Sequence, residues 1–227
     1  MFQRWHELLF AHWPVSADAL RARLPAGLEL DTFEGEAWLG LVPFRMSAVR
    51  LRGTPALPGL SAFPELNLRT YVRHGAHRGV WFFSLDAASR LAVRAARAWF
   101  HLPYFDARME CRERAGVVHY GSVRTHRGAP AAELALRYAP LAPVELARPG
   151  TLEHFLTERY CLFAAAPSGV LLRGDIHHRP WPLQRAQGEF ESQTIAAAAG
   201  FARPARVPLF YFARVLDVLI WAPTRVG

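Results

Sequence analysis

Lysine is absent from this chain: all 27 basic residues, set against 19 acidic ones, are arginine. Schiff-base aldolases and decarboxylases, pyridoxal-phosphate enzymes and Walker-type nucleotide hydrolases each need an amine at a fixed place in their chemistry. The only other amine is the one at the N-terminus. Cysteine is scarce, with Cys111 and Cys161 far apart and no CxxC pair, so neither a disulfide scaffold nor a cysteine zinc site is expected. That usage and the want of a secretory leader fit a reducing cytoplasm. Long apolar runs are also missing. Leu8–Ala11 and Val215–Ala222, the latter interrupted by Asp217, are far too short to cross a bilayer, and no membrane association is expected.

What the chain does have is enough apolar surface for one sizeable core. Of 227 residues 52% are hydrophobic and 20% charged, which argues against disorder and for a single compact domain spanning 1–227. The formal charge of +8 raises the question of nucleic acid. The arginines are scattered, as in Arg50/Arg52, Arg94/Arg97 and Arg112/Arg114, with no basic block and no nucleic-acid motif. Nucleic acid is therefore not the expected partner.

Most of the chain reads as antiparallel strand. Leu28–Phe33, Glu34-Gly35 and Ala37–Val49 suggest a hairpin, with Pro43 marking an edge or bulge. Further strand-like runs are 66–73, 80–85, 117–124, 133–138, 209–213 and 215–221. Short helices are expected over 17–24, 90–100 and 152–159, each after a Ser or Thr cap. In the middle one Leu91, Ala95, Ala98 and Trp99 can share a face. A Pro-rich loop, Thr54–Pro64, precedes the strand at 65, and the segment Gln184–Gly200 has no pattern that decides between helix and strand.

Three stretches can carry chemistry. In Glu65-Leu66-Asn67-Leu68-Arg69-Thr70-Tyr71-Val72, alternation puts Glu65, Asn67, Arg69 and Tyr71 on one face. Lining a cavity, that face offers a small ligand a carboxylate, an amide, a fixed cation and a phenol; an ordinary solvated strand face would show the same alternation. Phe82-Phe83-Ser84-Leu85-Asp86 places Ser84 and Asp86 together, as ligand groups or as helix-entry caps. In Asp175-Ile176-His177-His178-Arg179, the residues Asp175, His177 and Arg179 share a side that faces either a cavity or water. The adjacent His177-His178 pair points to opposite faces, and there is no H-E-x-x-H or G-x-S-x-G sequence. Neither a metal nor a cofactor is expected.

The runs HWPV, LDTFEGEAWLGLVPFRM, FPELNLRTYV, FFSLD and LPYFDARM, spread over most of the chain, resemble the YqjF-like family of uncharacterised bacterial proteins, a distant relative of acetoacetate decarboxylase. The resemblance implies an antiparallel, cone-like β-barrel enclosing a cavity, with a few short helices. In the decarboxylase pattern, Glu65 matches a strand glutamate, Asp86 a strand-ending aspartate, Arg97 an arginine and Pro103 a proline six residues beyond it. The catalytic lysine pair falls on Tyr104 and Phe105, so the frame is retained while the nucleophile is gone.

The expectation is a protein that binds a small anionic, keto-acid-like molecule in an internal cavity. Glu65 and Tyr104 would be acid-base residues; Asn67, Arg69, Tyr71, Asp86, Arg97 and His177 would be ligand contacts. Lyase or isomerase chemistry by proton transfer is open to such a site, whereas imine chemistry is not. The alternative is a non-catalytic module whose arginine-rich exterior binds an acidic protein or nucleic acid. The aromatic strand 209–212 would suit a homodimer, and burial in the core would explain it equally.

Overall fold

The structure, a computed structural model, describes residues 1–57, 61–202 and 206–226. Strands alternate with brief helices. Strand β1 (Phe2–Val15) leads into α1 (Ala17–Arg21), followed by β2 (Glu29–Leu30), β3 (Ala37–Arg50), β4 (Phe63–His74) and β5 (His77–Ala87). Helix α2 (Arg90–Trp99) connects to β6 (Tyr104–Arg114), β7 (Val117–Arg124) and β8 (Glu133–Pro140). Helix α3 (Leu152–Thr157) precedes β9 (Cys161–Ala165), β10 (Leu171–His178) and β11 (Gln184–Gln193), and α4 (Ile195–Ala198) precedes β12 (Leu209–Ile220) and β13 (Thr224–Arg225). The expected caps are in place: Ser16, Ser89 and Thr151 each accept a hydrogen bond from a backbone N–H of the first turn.

Strand pairing returns on itself twice. One circuit runs β1, β3, β4, β5, β9, β10, β12 and back to β1; the other leaves β5 through β6, β7, β8 and β11 to reach the same β12. The two share the wall β1-β3-β4. Pairing is antiparallel except at β5, which lies parallel to both β6 and β9. The first exception follows from α2, because a helical crossover brings the chain back to the same end of the sheet.

The expected hairpin is reduced to one bridge. Glu34 and Gly35 both adopt positive φ, as a two-residue turn requires, yet only Phe33 and Glu36 pair across it. Both edges of β3 are occupied by β1 and β4, so Glu29 and Leu30 pair instead with Arg73 and Val72 on β4. Pro43 faces a stretch where β1 and β3 step out of register, between His6 and Ala11. Glu7 lies in that step with positive φ, and its carbonyl accepts a 2.5 Å hydrogen bond from the Tyr138 hydroxyl.

Two readings along the chain change. Gln184–Gly200 forms β11 and α4, and in β11 exposed Arg185, Gln187, Glu189 and Glu191 alternate with more buried neighbours. On β12, Tyr211 and Phe212 are buried within this chain. The expected loop at Thr54–Pro64 includes residues 58–60, which lie outside the described residues; Phe63 and Pro64 already belong to β4.

The second circuit is filled. Leu9, Leu41, Leu68, Leu136 and Phe212, all almost fully buried, meet there in one apolar cluster. That packing fixes the shared wall from one side.

Candidate functional site

The first circuit is open inside. It surrounds a cavity of about 480 Å³, to which every one of its seven strands contributes at least one side chain. On β4 the lining residues are Phe63 and then the polar Glu65, Asn67 and Arg69; the neighbours Leu66 and Leu68 point into the filled cluster. Strict alternation on β4 thus separates a polar cavity face from an apolar packed face. The packed side also grips the backbone of the polar residue, since the Tyr120 hydroxyl donates to the Glu65 carbonyl at 2.7 Å.

Glu65 and Tyr104 form one pair. The Tyr104 hydroxyl, at the start of β6, donates to Glu65 Oε2 at 2.7 Å. Residue 104 reaches the cavity because β6 enters parallel to β5, with Tyr104 opposite Leu85. Burial pushes the Glu65 carboxyl up to about 7, partly opposed by the Tyr104 hydrogen bond. Tyr104 is driven well above the usual phenol range by burial and by the neighbouring carboxylate, so it remains a donor. Near neutral pH the pair therefore holds a carboxyl poised between its two protonation states beside a phenol that keeps its proton.

Arg69 occupies a different part of the same wall. It is 9% exposed, and among the described residues no carboxylate forms an ion pair with it. Its Nη2 donates to the Leu156 carbonyl at 3.3 Å, while its buried Nε has no partner. The guanidinium lies 5.3 Å from the Phe10 ring centroid and 5.7 Å from that of Tyr71. Tyr71 is fully buried behind it, its hydroxyl 2.5 Å from His12 Nε2 and donating to the Leu156 carbonyl at 2.7 Å. Burial, then the charge of Arg69, holds His12 well below its usual range, so that ring is neutral. Gly40 faces His12 across the β1–β3 pair, and a Cβ there would stand 3.0 Å from the imidazole. Arg159 is the second cavity cation, and it is matched by Asp31 at 2.6 Å. Asn67, between Glu65 and Arg69, has a buried Oδ1 without a partner.

Of the eight residues singled out in the sequence, Glu65, Tyr104, Asn67 and Arg69 line the cavity, and Tyr71 supports Arg69 from behind. The other three stand elsewhere. Asp86 points to the opposite face of β5, where both its oxygens accept from the equally buried Arg124 at 2.8 and 3.1 Å. The cause is a register step: Leu68 pairs with Ser84 but Arg69 pairs with Phe82, leaving Phe83 extra, so Phe82 and Leu85 face the cavity while Ser84 and Asp86 do not. Arg97 lies on the exposed side of α2 and donates to the Tyr104 carbonyl at 2.8 Å, fixing the backbone of the phenol. The cavity side of α2 carries Ala92, Ala95, Ala96 and Trp99, whereas Leu91 is 65% exposed.

On β10, His177 is exposed with Asp175, and the lining residues are Ile176 and His178. His178 Nδ1–H donates to the Arg179 carbonyl at 2.7 Å and the ring stacks on Tyr160; burial lowers its pKa. Arg159, Trp5 and Trp181 also line the cavity, and no local pattern in the sequence marks them. Among the described residues no group of three or more His, Cys, Asp or Glu is placed to hold a metal ion, and no helix is long and apolar enough to cross a membrane.

Solved structures with this fold have little sequence in common with the chain. Acetoacetate decarboxylase from Legionella pneumophila superposes with a TM-score of 0.67 at 14% identity, covering 100% of this chain and 87% of that one. The enduracididine biosynthesis enzyme MppR, complexed with pyruvate, gives 0.65 at 12% identity, covering 100% and 90%. The fold is thus mainly β and acetoacetate decarboxylase-like. In sequence, the chain is 44% identical over 221 residues to the uncharacterized protein YqjF of Bacillus subtilis, covering 97% of this chain and 90% of that relative. A model of the DUF2071 family, described as an uncharacterized conserved protein, matches residues 2–217, and the chain belongs to that family.

Proposed function

We propose that this protein binds a small organic carboxylate bearing a carbonyl group, inside a cone-like barrel formed by the first strand circuit, and moves a proton on it without an imine. The observation that carries the reading is the presence, on one face of β4, of the Glu65–Tyr104 pair and of a buried arginine with no carboxylate partner among the described residues. The arginine is suited to hold a ligand carboxylate through paired N–H donors. Glu65, as carboxylate, takes a proton from a carbon next to the carbonyl, and returns it in the reverse step. Tyr104 holds Oε2, so the other carboxyl oxygen carries the transfer. Lysine is absent, so no covalent intermediate on a side-chain amine enters this chemistry. The pyruvate held by MppR is consistent with such a ligand class in this fold.

The exterior supports this reading over a polyanion-binding one. Arg4, Arg73, Arg137 and Arg214 are each paired with a carboxylate on the surface, at Asp217, Glu29, Glu189 and Glu113, which reduces the positive charge these positions offer to a polyanion. The test uses a panel of oxo acids of differing length. Thermal stabilisation by a bound acid should be lost in Arg69→Met. Exchange of the ligand's C–H next to its carbonyl for deuterium, followed by NMR, should fall about 10²- to 10⁴-fold in Glu65→Gln. If no oxo acid stabilises the protein, or if stabilisation ignores Arg69, the proposal is wrong.

A further inference from the structure

The cavity's two polar stations are far apart, and apart from the Asn67 amide what lies between them is apolar. Glu65 and Arg69 are four residues apart on β4, which separates them by about 13 Å at the backbone. The Arg69 guanidinium lies near the rings of Phe10 and Tyr71, and Tyr71 is further along β4 from Glu65, so the side chain does not close the gap. Asn67 stands midway, flanked by Val42 on β3 and Leu85 on β5, both lining the cavity. Trp5, Phe44, Ile176 and Trp181 add further apolar surface. The charge count points the same way. Arg69 and Arg159 share the Tyr71 ring, at 5.7 and 5.0 Å, while among the described residues Asp31, which also pairs with Arg78 at 3.7 Å, is the one carboxylate that answers them, and His12 is neutral. One negative charge is missing at that station, at the far side of the cavity from the proton-transfer pair.

Resting on the function proposed above, we infer that the ligand is an elongated amphipathic oxo acid, with its carboxylate on Arg69, an apolar spacer along Val42 and Leu85, and its carbonyl at Glu65 and Tyr104. A molecule of pyruvate or acetoacetate size is much shorter than the backbone separation of the two stations. A volume of about 480 Å³ lies in the range that accommodates larger organic ligands.

The experiment titrates the full chain with butanoate, hexanoate, octanoate, 7-oxooctanoate, pyruvate and acetoacetate by calorimetry. Affinity should rise about fourfold for each added methylene up to the octanoate length. Octanoate should bind at least ten times more tightly than pyruvate, and Arg69→Met should remove that binding. Deuterium exchange beside the carbonyl should appear with 7-oxooctanoate and depend on Glu65. Because Arg69 is buried, Ala96→Phe on the cavity side of α2 serves as a second variant: it narrows the space while leaving both stations intact, and should weaken octanoate binding at least tenfold with little change for butanoate. Pyruvate or acetoacetate binding as tightly as octanoate, in an Arg69-dependent way, would overturn the long-ligand inference and leave the proposed function standing. Equal binding of octanoate and 1-octanol, unchanged in Arg69→Met, would overturn both.

Discussion

The wall β1-β3-β4 has one face packed against side chains and one face against empty space. Leu9, Leu41 and Leu68 point into the filled circuit; Leu8, Val42 and Asn67, one residue away on the same strands, point into the cavity. The filled face has aromatic hydroxyls that tie down backbone, from Tyr120 to Glu65 and from Tyr138 to Glu7. The open face carries the polar groups with unmet hydrogen-bonding capacity, at Asn67 Oδ1 and Arg69 Nε. Close packing on one side lets the other keep an unfilled volume and costly buried polar groups without losing its geometry. Core packing and cavity lining are thus assigned to alternate residues of the same strands.

The largest effect should come from the ion pair on the far side of β5. Asp86→Ala leaves Arg124 charged and buried and should cost about 3–5 kcal/mol in denaturant unfolding. The adjacent leucines of β1 then compare the two faces directly. Leu9→Ala opens a hole in the filled cluster and should cost about 3–4 kcal/mol, whereas Leu8→Ala, bordering space that is already open, should cost about 2 kcal/mol. Equal losses would erase the distinction between the faces.

A pH series sharpens it further. Glu65 has its folded pKa raised to about 7 from 4.5, so the folded state binds the extra proton and its contribution to stability declines as pH rises through that window. Between pH 5 and pH 7 the decline is about 2 kcal/mol. Taking the difference between the parent and Glu65→Gln cancels the titration of His12, and that difference should vanish below about pH 4 and level off above about pH 8. The smallest effects belong to exposed positions: His177→Ala and Arg97→Ala should each stay within about 0.5 kcal/mol. For Arg97 a fall in ligand binding without a fall in stability would report its hold on the Tyr104 carbonyl.

The polar ladder from Glu65 to Tyr71 was legible in the sequence because the extra residue of the β4–β5 register step lies on β5, so a period of two survives intact along β4. Asp86 was not, because the extra residue at Phe83 inverts the faces of β5 midway. On β10 the pattern showed that Asp175 and His177 share a side, but which side meets the cavity depends on how β10 sits between β9 and β12. Arg97 matched a motif position, and the helix turned that position outward.

By itself the sequence determined that no side-chain amine is present, that the chain folds mainly as strands, and that Glu65, Asn67 and Arg69 share a face, since composition and strand periodicity are local properties. Only the tertiary structure decided that this face looks into a cavity, that Tyr104 meets Glu65 across 39 positions, and that one arginine there is answered by a carboxylate while the other is not. Those outcomes depend on register steps and on which strands close each circuit, and both are settled by contacts between residues distant in the chain.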